Sequence, residues 1–242
     1  MAMSKRKALA RALTPLRAIL GQGFRDWTTR MLNPKGKLYV PRNLGVAGFF
    51  RALSDAGAEH VVLRWFEDLP HVERGHDMDI LVADRAIETV RGFLSVWPDG
   101  QIVDFYSETG LFGTGYKPNK VQDVPAFPPH IAAEILASAL PQDGGWSVPN
   151  PRTHFLGLAY HAVYLKGYES GLPPDDHTAP RREGSHDYAA VLTNLGRRAG
   201  FDLAQPVTLA RLDTFLRSEG WFPDDDHLRA LAPTNSWINL SL

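Results

Sequence analysis

The spacing of apolar positions changes twice along the chain. Leu9, Leu13, Leu16, Ile19 and Leu20 recur at helical intervals, so the first segment predicts an amphipathic helix. From Pro41 the period alternates. Residues 46–56 predict a helix ending at Gly57, 60–65 a buried strand, 78–82 a second strand, 84–96 a helix stopped at Trp97-Pro98, and 101–106 a third strand. A loop spans 66–76. After Pro149 only the helical period remains, over 153–167, 186–200, 209–218 and 224–231. Gly184-Ser185 is the expected N-cap of the second of these, and His186-Asp187 also suits a helix start. This is the pattern of an α+β fold in three parts: an N-terminal segment (1–40), a small α/β domain (41–150) and a C-terminal helical region (151–242).

Composition narrows the function classes. At 242 residues and 44% hydrophobic, the chain can bury a sizeable core. A net charge of −1 gives no overall bias toward nucleic acid, and the extended basic groove of a polymer-binding enzyme is not expected. The absence of cysteine excludes disulfides, thiolate metal sites and a cysteine nucleophile, and it agrees with a cytoplasmic address. Charge is local instead. Lys5, Arg6, Lys7, Arg11, Arg17, Arg25, Arg30, Lys35 and Lys37 stand in the first segment against the single acid Asp26. Its leucines are expected to pack on the main domain, with weak peripheral contact to an anionic membrane as the other reading.

The chemistry concentrates in "HDMDILV". Asp77 and Asp79 are two residues apart in an extended segment, so their carboxylates share a face and repel each other; a positive group is expected between them. Asp104 lies in "IVDFY" between apolar neighbours, where an unpaired charge is costly. Three carboxylates on two strands are the oxygen-donor set that magnesium requires for phosphoryl transfer.

The succession "VVLRW", loop, "HDMDILV", "IVDFY" resembles the nucleotidyltransferase-like superfamily over residues 45–106, and "YSETGLFGTGYKP" with "HFLGLAYHAVYLKGYESGLP" looks like a bacterial family of nucleotidyltransferase-like proteins. The resemblance implies a small mixed-sheet core with an appended helical region. It implies transfer of a nucleoside monophosphate from a nucleoside triphosphate to a small-molecule or sugar-like acceptor, with two Mg2+ ions or Mn2+ in their place. It implies further that Asp77, Asp79 and Asp104 are catalytic metal ligands, Asp104 also orienting or deprotonating the acceptor. The superfamily ends its opening strand with Gly-Ser, where this chain has Arg64 and Trp65. These are expected to bind the nucleotide, Arg64 through phosphate and Trp65 by stacking.

Lys117 and Lys120 follow a glycine-rich stretch and are expected to contact donor phosphates, while His161 and Lys166 are expected at the acceptor. Two other readings stay open: a glycosyltransferase that uses D-x-D to hold a nucleotide sugar, and a non-catalytic module that keeps the fold for binding.

Overall fold

The computed structural model describes residues 2–73, 75–117, 124–178 and 186–241, which fold as an α+β protein. Two compact units divide the chain. The first comprises residues 1–105 and 141–146, the second 106–140 and 147–242. No helix among the described residues is long and apolar enough to cross a membrane.

The first unit is built on a mixed four-stranded sheet of β1 (Leu38–Pro41), β2 (His60–Val62), β3 (Met78–Val82) and β4 (Gly100–Ser107), in the order β1-β4-β3-β2. The outer pairs, β1–β4 and β2–β3, are antiparallel, so the central pair β3–β4 runs parallel. A parallel pair needs a crossover, supplied by a single 3-10 turn (Asp84–Ala86) leading into helix α4 (Ile87–Gly92). That helix stops earlier than its apolar pattern predicts because Ser95 leaves it to exchange two backbone hydrogen bonds of 2.8 Å with Tyr39. Strand β2 is likewise shorter than expected, ending before Leu63, Arg64 and Trp65.

Alternation along the strands sorts the two faces of the sheet. Val40, Val62, Met78, Ile80, Val82, Val103 and Phe105 enter one buried cluster. Helix α3 (Gly45–Asp55) covers that face with Val46, Phe49, Phe50 and Leu53, at i, i+3, i+4 and i+7, and Gly57 (φ +63°) turns the chain out of it. The alternate positions, among them Tyr39, Asp79 and Asp104, point to the other face. Two helices precede the sheet, α1 (Ala2–Ile19) and α2 (Gln22–Leu32). Contrary to expectation, Leu9, Leu16 and Ile19 of α1 and the adjoining Leu20 are exposed; Leu13 is half-buried, Ala10 is buried, and polar groups also attach the helix.

The second unit is helical, with α5 (Pro129–Ala137), α6 (Pro151–Tyr160), α7 (Tyr188–Arg198), α8 (Leu209–Ser218), α9 (Asp225–Leu231) and α10 (Ser236–Ser241). Side chains of Asn150, Asp187, Thr208 and Asp224 cap α6 to α9. The cap of α7 is thus Asp187; the expected Gly184-Ser185 lies outside the described residues. The predicted helix over 153–167 does not stay α-helical. It widens into a π-helical stretch at His161–Lys166, then tightens into a 3-10 turn, Gly167–Ser170. Its terminal carbonyls find partners elsewhere: Asn235 Nδ2 donates to Val163 O (2.8 Å) and Tyr164 O (2.9 Å), and Tyr116 Oη donates to Leu165 O (2.6 Å).

Candidate functional site

Asp79 lies on the sheet face turned away from α3, and Asp77 shares its parity one step before β3 begins. Asp104 belongs to the same face of β4, because Val103 and Phe105 point the other way into the core. The backbone just before Asp77 is held by Gln101 Nε2, which donates to His76 O at 2.6 Å. The register of β1 on β4 pairs Leu38 with Val103; one step further it sets Lys37 opposite Asp104.

The positive group expected near the aspartates is therefore double. Lys37 Nζ stands 3.7 Å from Asp77 Oδ2 and 3.8 Å from Asp104 Oδ1, bridging two carboxylates at long range. Arg64 Nη2 meets Asp79 Oδ1 at 2.6 Å, and that pair is buried, with both side chains less than a tenth exposed. Arg64 thus has an internal carboxylate partner, in addition to the phosphate role expected of it. Next to it Trp65 holds φ +54°, a left-handed conformation that favours glycine and costs a tryptophan about 1–2 kcal/mol. The turn thus carries tryptophan in a backbone shape that glycine adopts most easily.

Three carboxylates against two cations leave the cluster short of positive charge. Burial pushes Asp104 up to about 7, the neighbouring Asp79 and Asp77 carboxylates add to this, and Lys37 opposes it. Asp104 therefore takes up a proton more readily folded than unfolded. Between its ordinary 3.8 and about 7, the stability of the folded chain falls as pH rises, and above that window the penalty is constant. With the Asp104 side chain 39% exposed, water screens part of it. Asp104→Asn is expected to raise the urea midpoint at pH 8 and to leave it nearly unchanged at pH 4; an equal midpoint at pH 8 would mean that Asp104 carries its charge without cost.

Hard carboxylate oxygens with residual negative charge suit a divalent cation such as Mg2+. Among the described residues, no group of three His, Asp or Glu side chains already stands in an ion-holding arrangement.

The remaining expected residues belong to the second unit. Lys117 lies over the Tyr116 ring with its Nζ 4.9 Å from the centroid and has φ +44°. His161 is buried in the π-helical stretch, stacked on Tyr188 with ring centroids 6.2 Å apart, and Lys166 ends that stretch, half-buried. Lys120 lies outside the described residues. Lys37 is the residue that sequence reasoning missed. Grouped with the basic N-terminal segment, it reaches the aspartates through a cross-strand register, and the four-residue strand that carries it leaves no periodic signal in the sequence.

No family model, curated protein or solved structure matches the chain.

Proposed function

We propose that the Lys37–Arg64–Asp77–Asp79–Asp104 cluster is the donor site of a magnesium-dependent nucleotidyltransferase, acting in the cytoplasm on a nucleoside triphosphate and a small-molecule or sugar-like acceptor. The observation that supports it best is the gathering of three carboxylates on one face of adjacent strands, facing two cations. Asp77, Asp79 and Asp104 would hold the metal, which when bound offsets charge on the transferring phosphoryl group. Lys37 and Arg64 supply fixed positive charge for the donor phosphates. Asp104 would in addition orient the acceptor or take its proton. The strained turn at Trp65 keeps a sharp backbone bend beside these groups.

The buried Arg64–Asp79 pair favours a second reading, a non-catalytic binding module whose carboxylates are neutralised from within. Calorimetric titration with each of the four ribonucleoside triphosphates, with and without Mg2+, separates the two. Expected is magnesium-dependent binding of at least one triphosphate, weakened about tenfold or more in Asp77→Asn and Asp104→Asn. Mg2+ alone should also raise the urea midpoint at pH 8 in the parent chain and not in Asp104→Asn. Absence of both effects would overturn the enzyme reading in favour of the module. Binding of a nucleotide sugar in place of a triphosphate would replace it with the glycosyltransferase.

A further inference from the structure

We infer that the outward face of the α1–α2 hairpin docks on an anionic lipid bilayer. Helix α1 uses one side to hold the sheet unit. Lys7 Nζ donates to Gly100 O (3.0 Å), Arg11 Nε pairs with Asp99 Oδ1 (3.0 Å), Trp97 Nε1 donates to Thr14 Oγ1 (3.2 Å), and the Arg17 guanidinium lies 3.8 Å from the Trp97 ring centroid. Arg17 also ties the helices together, donating to Arg25 O (2.8 Å), Thr28 Oγ1 (3.0 Å) and Thr29 Oγ1 (2.8 Å). These attachments put positions 7, 10, 11, 14 and 17 on the inner side.

The opposite side carries Lys5, Leu9, Ala12, Leu16 and Ile19, spaced i, i+4, i+7, i+11 and i+14, and every one of them is exposed. Leu9 is 45%, Leu16 46% and Ile19 81% exposed. Helix α2 follows the same plan. Thr28 and Leu32 are buried, while Trp27 (59%) and Met31 (41%) stay in solvent with Arg30. Both helices keep an apolar stripe turned away from the core they are fastened to.

Charge selects the occupant. Of the nine Lys and Arg within the first 37 residues, Lys7, Arg11, Arg17 and Lys37 face the sheet unit or its aspartates; the other five, Lys5, Arg6, Arg25, Arg30 and Lys35, stand against the single acid Asp26, although the whole chain has a net charge of −1. A helix pair that presents Leu, Ile, Met and Trp beside Lys and Arg has the composition of a segment lying in the plane of a negatively charged interface, with the apolar side chains in the acyl boundary and the cations at headgroup phosphates. The indole of Trp27 suits the same depth. Nucleic acid would use the cations but gain nothing from Ile19, and a protein partner would not by itself call for so one-sided a charge.

Flotation of the full chain with phosphatidylcholine vesicles, with and without about 30% phosphatidylserine, tests this at about 50 mM and about 500 mM salt. Expected is binding to the anionic vesicles at low salt, at least about tenfold weaker on neutral vesicles and at high salt. Leu16→Glu/Ile19→Glu should lose about tenfold or more while its circular dichroism and urea midpoint stay those of the parent, because neither side chain packs in the core. Arg6→Glu/Arg30→Glu should lose binding to a similar degree. No binding to anionic vesicles at low salt overturns the inference, as does undiminished binding in Leu16→Glu/Ile19→Glu. A concentration-dependent dimer dissociated by that same variant, or tighter binding to single-stranded RNA than to vesicles, also overturns it by assigning the face to a second copy or to nucleic acid.

Discussion

Arg64→Ala is expected to destabilise the sheet unit by about 3–5 kcal/mol, the range for removing one partner of a buried ion pair. The cost has a specific origin. Arg64 and Asp79 are 7% and 9% exposed at the side chain and meet at 2.6 Å, so deleting the guanidinium leaves a carboxylate in a site that already contains Asp77 and Asp104. Asp79→Ala strands the guanidinium and is expected to cost a similar amount. The double replacement Arg64→Met/Asp79→Leu removes both charges and should recover most of the loss, since a buried pair is often matched in stability by apolar residues of similar size. Urea unfolding of the four proteins gives the coupling energy directly. A loss below about 1 kcal/mol in either single variant would mean that the pair behaves as a solvent-screened surface bridge. For the proposed chemistry, Asp79 is the wrong residue to change first: its substitution perturbs folding together with any activity. Asp77 and Asp104, at 42% and 39% exposure, are the cleaner probes.

A second large effect is expected at Asn235, 1% exposed in the helical unit. Its amide serves two elements at once. Nδ2 donates to the carbonyls of Val163 and Tyr164 at the end of the π-helical stretch, and Oδ1 accepts from the amide of Trp237 (3.1 Å) at the start of α10. Asn235→Ala leaves two buried carbonyls without this donor and removes a helix cap, so a loss of about 3 kcal/mol is expected. Asn235→Asp keeps the cap acceptor but turns a carboxylate toward two carbonyl oxygens, and should be at least as harmful. If Asn235→Asp were instead near the parent in urea midpoint, the cap and not the carbonyl contacts would be the important function. Gly167 makes the same point from the other side. It sits at φ +53°, and a Cβ there would collide with Asn235 Oδ1, so Gly167→Ala strains the backbone and displaces the amide together.

Elements whose signal is local were legible in the sequence. Strand β3, helix α3 with its terminating Gly57, and helix α8 follow from periodicity and turn residues within a single window. What was not legible depends on partners remote in the chain. Strand β1 is four residues long and ends in proline, too short to show a period, yet it delivers Lys37 to the aspartates. The widening at His161–Lys166 has no composition of its own: it is accommodated by Asn235 and Tyr116, some seventy and fifty positions away. Helix α5, with its Pro-led apolar run, carries little polar contrast to mark one face, so no helical period stands out there. The site was half legible. The face shared by Asp77 and Asp79 follows from the two-residue strand repeat, and the costly setting of Asp104 from its apolar neighbours. The burial of Arg64 against Asp79 does not follow, because a charged residue at a strand end gives no sign of whether its partner is a ligand or the protein itself.

Lys37 is a counter-ion on a leash. Asn33 fixes the backbone from which it hangs, donating from Nδ2 to Lys37 O (2.7 Å) and to Val96 O (2.7 Å) and accepting from Lys37 N at Oδ1 (2.9 Å). The ammonium can swing by the length of its own stem but cannot diffuse away, so its effective concentration beside Asp77 and Asp104 is independent of the surrounding salt. Dissolved potassium or sodium competes with it on equal charge and gains no more from the carboxylates than the ammonium does. A doubly charged ion gains about twice the Coulomb energy from the same oxygens. Were the cluster to hold a metal as proposed, the tethered ammonium would favour a divalent ion over the abundant monovalent ones.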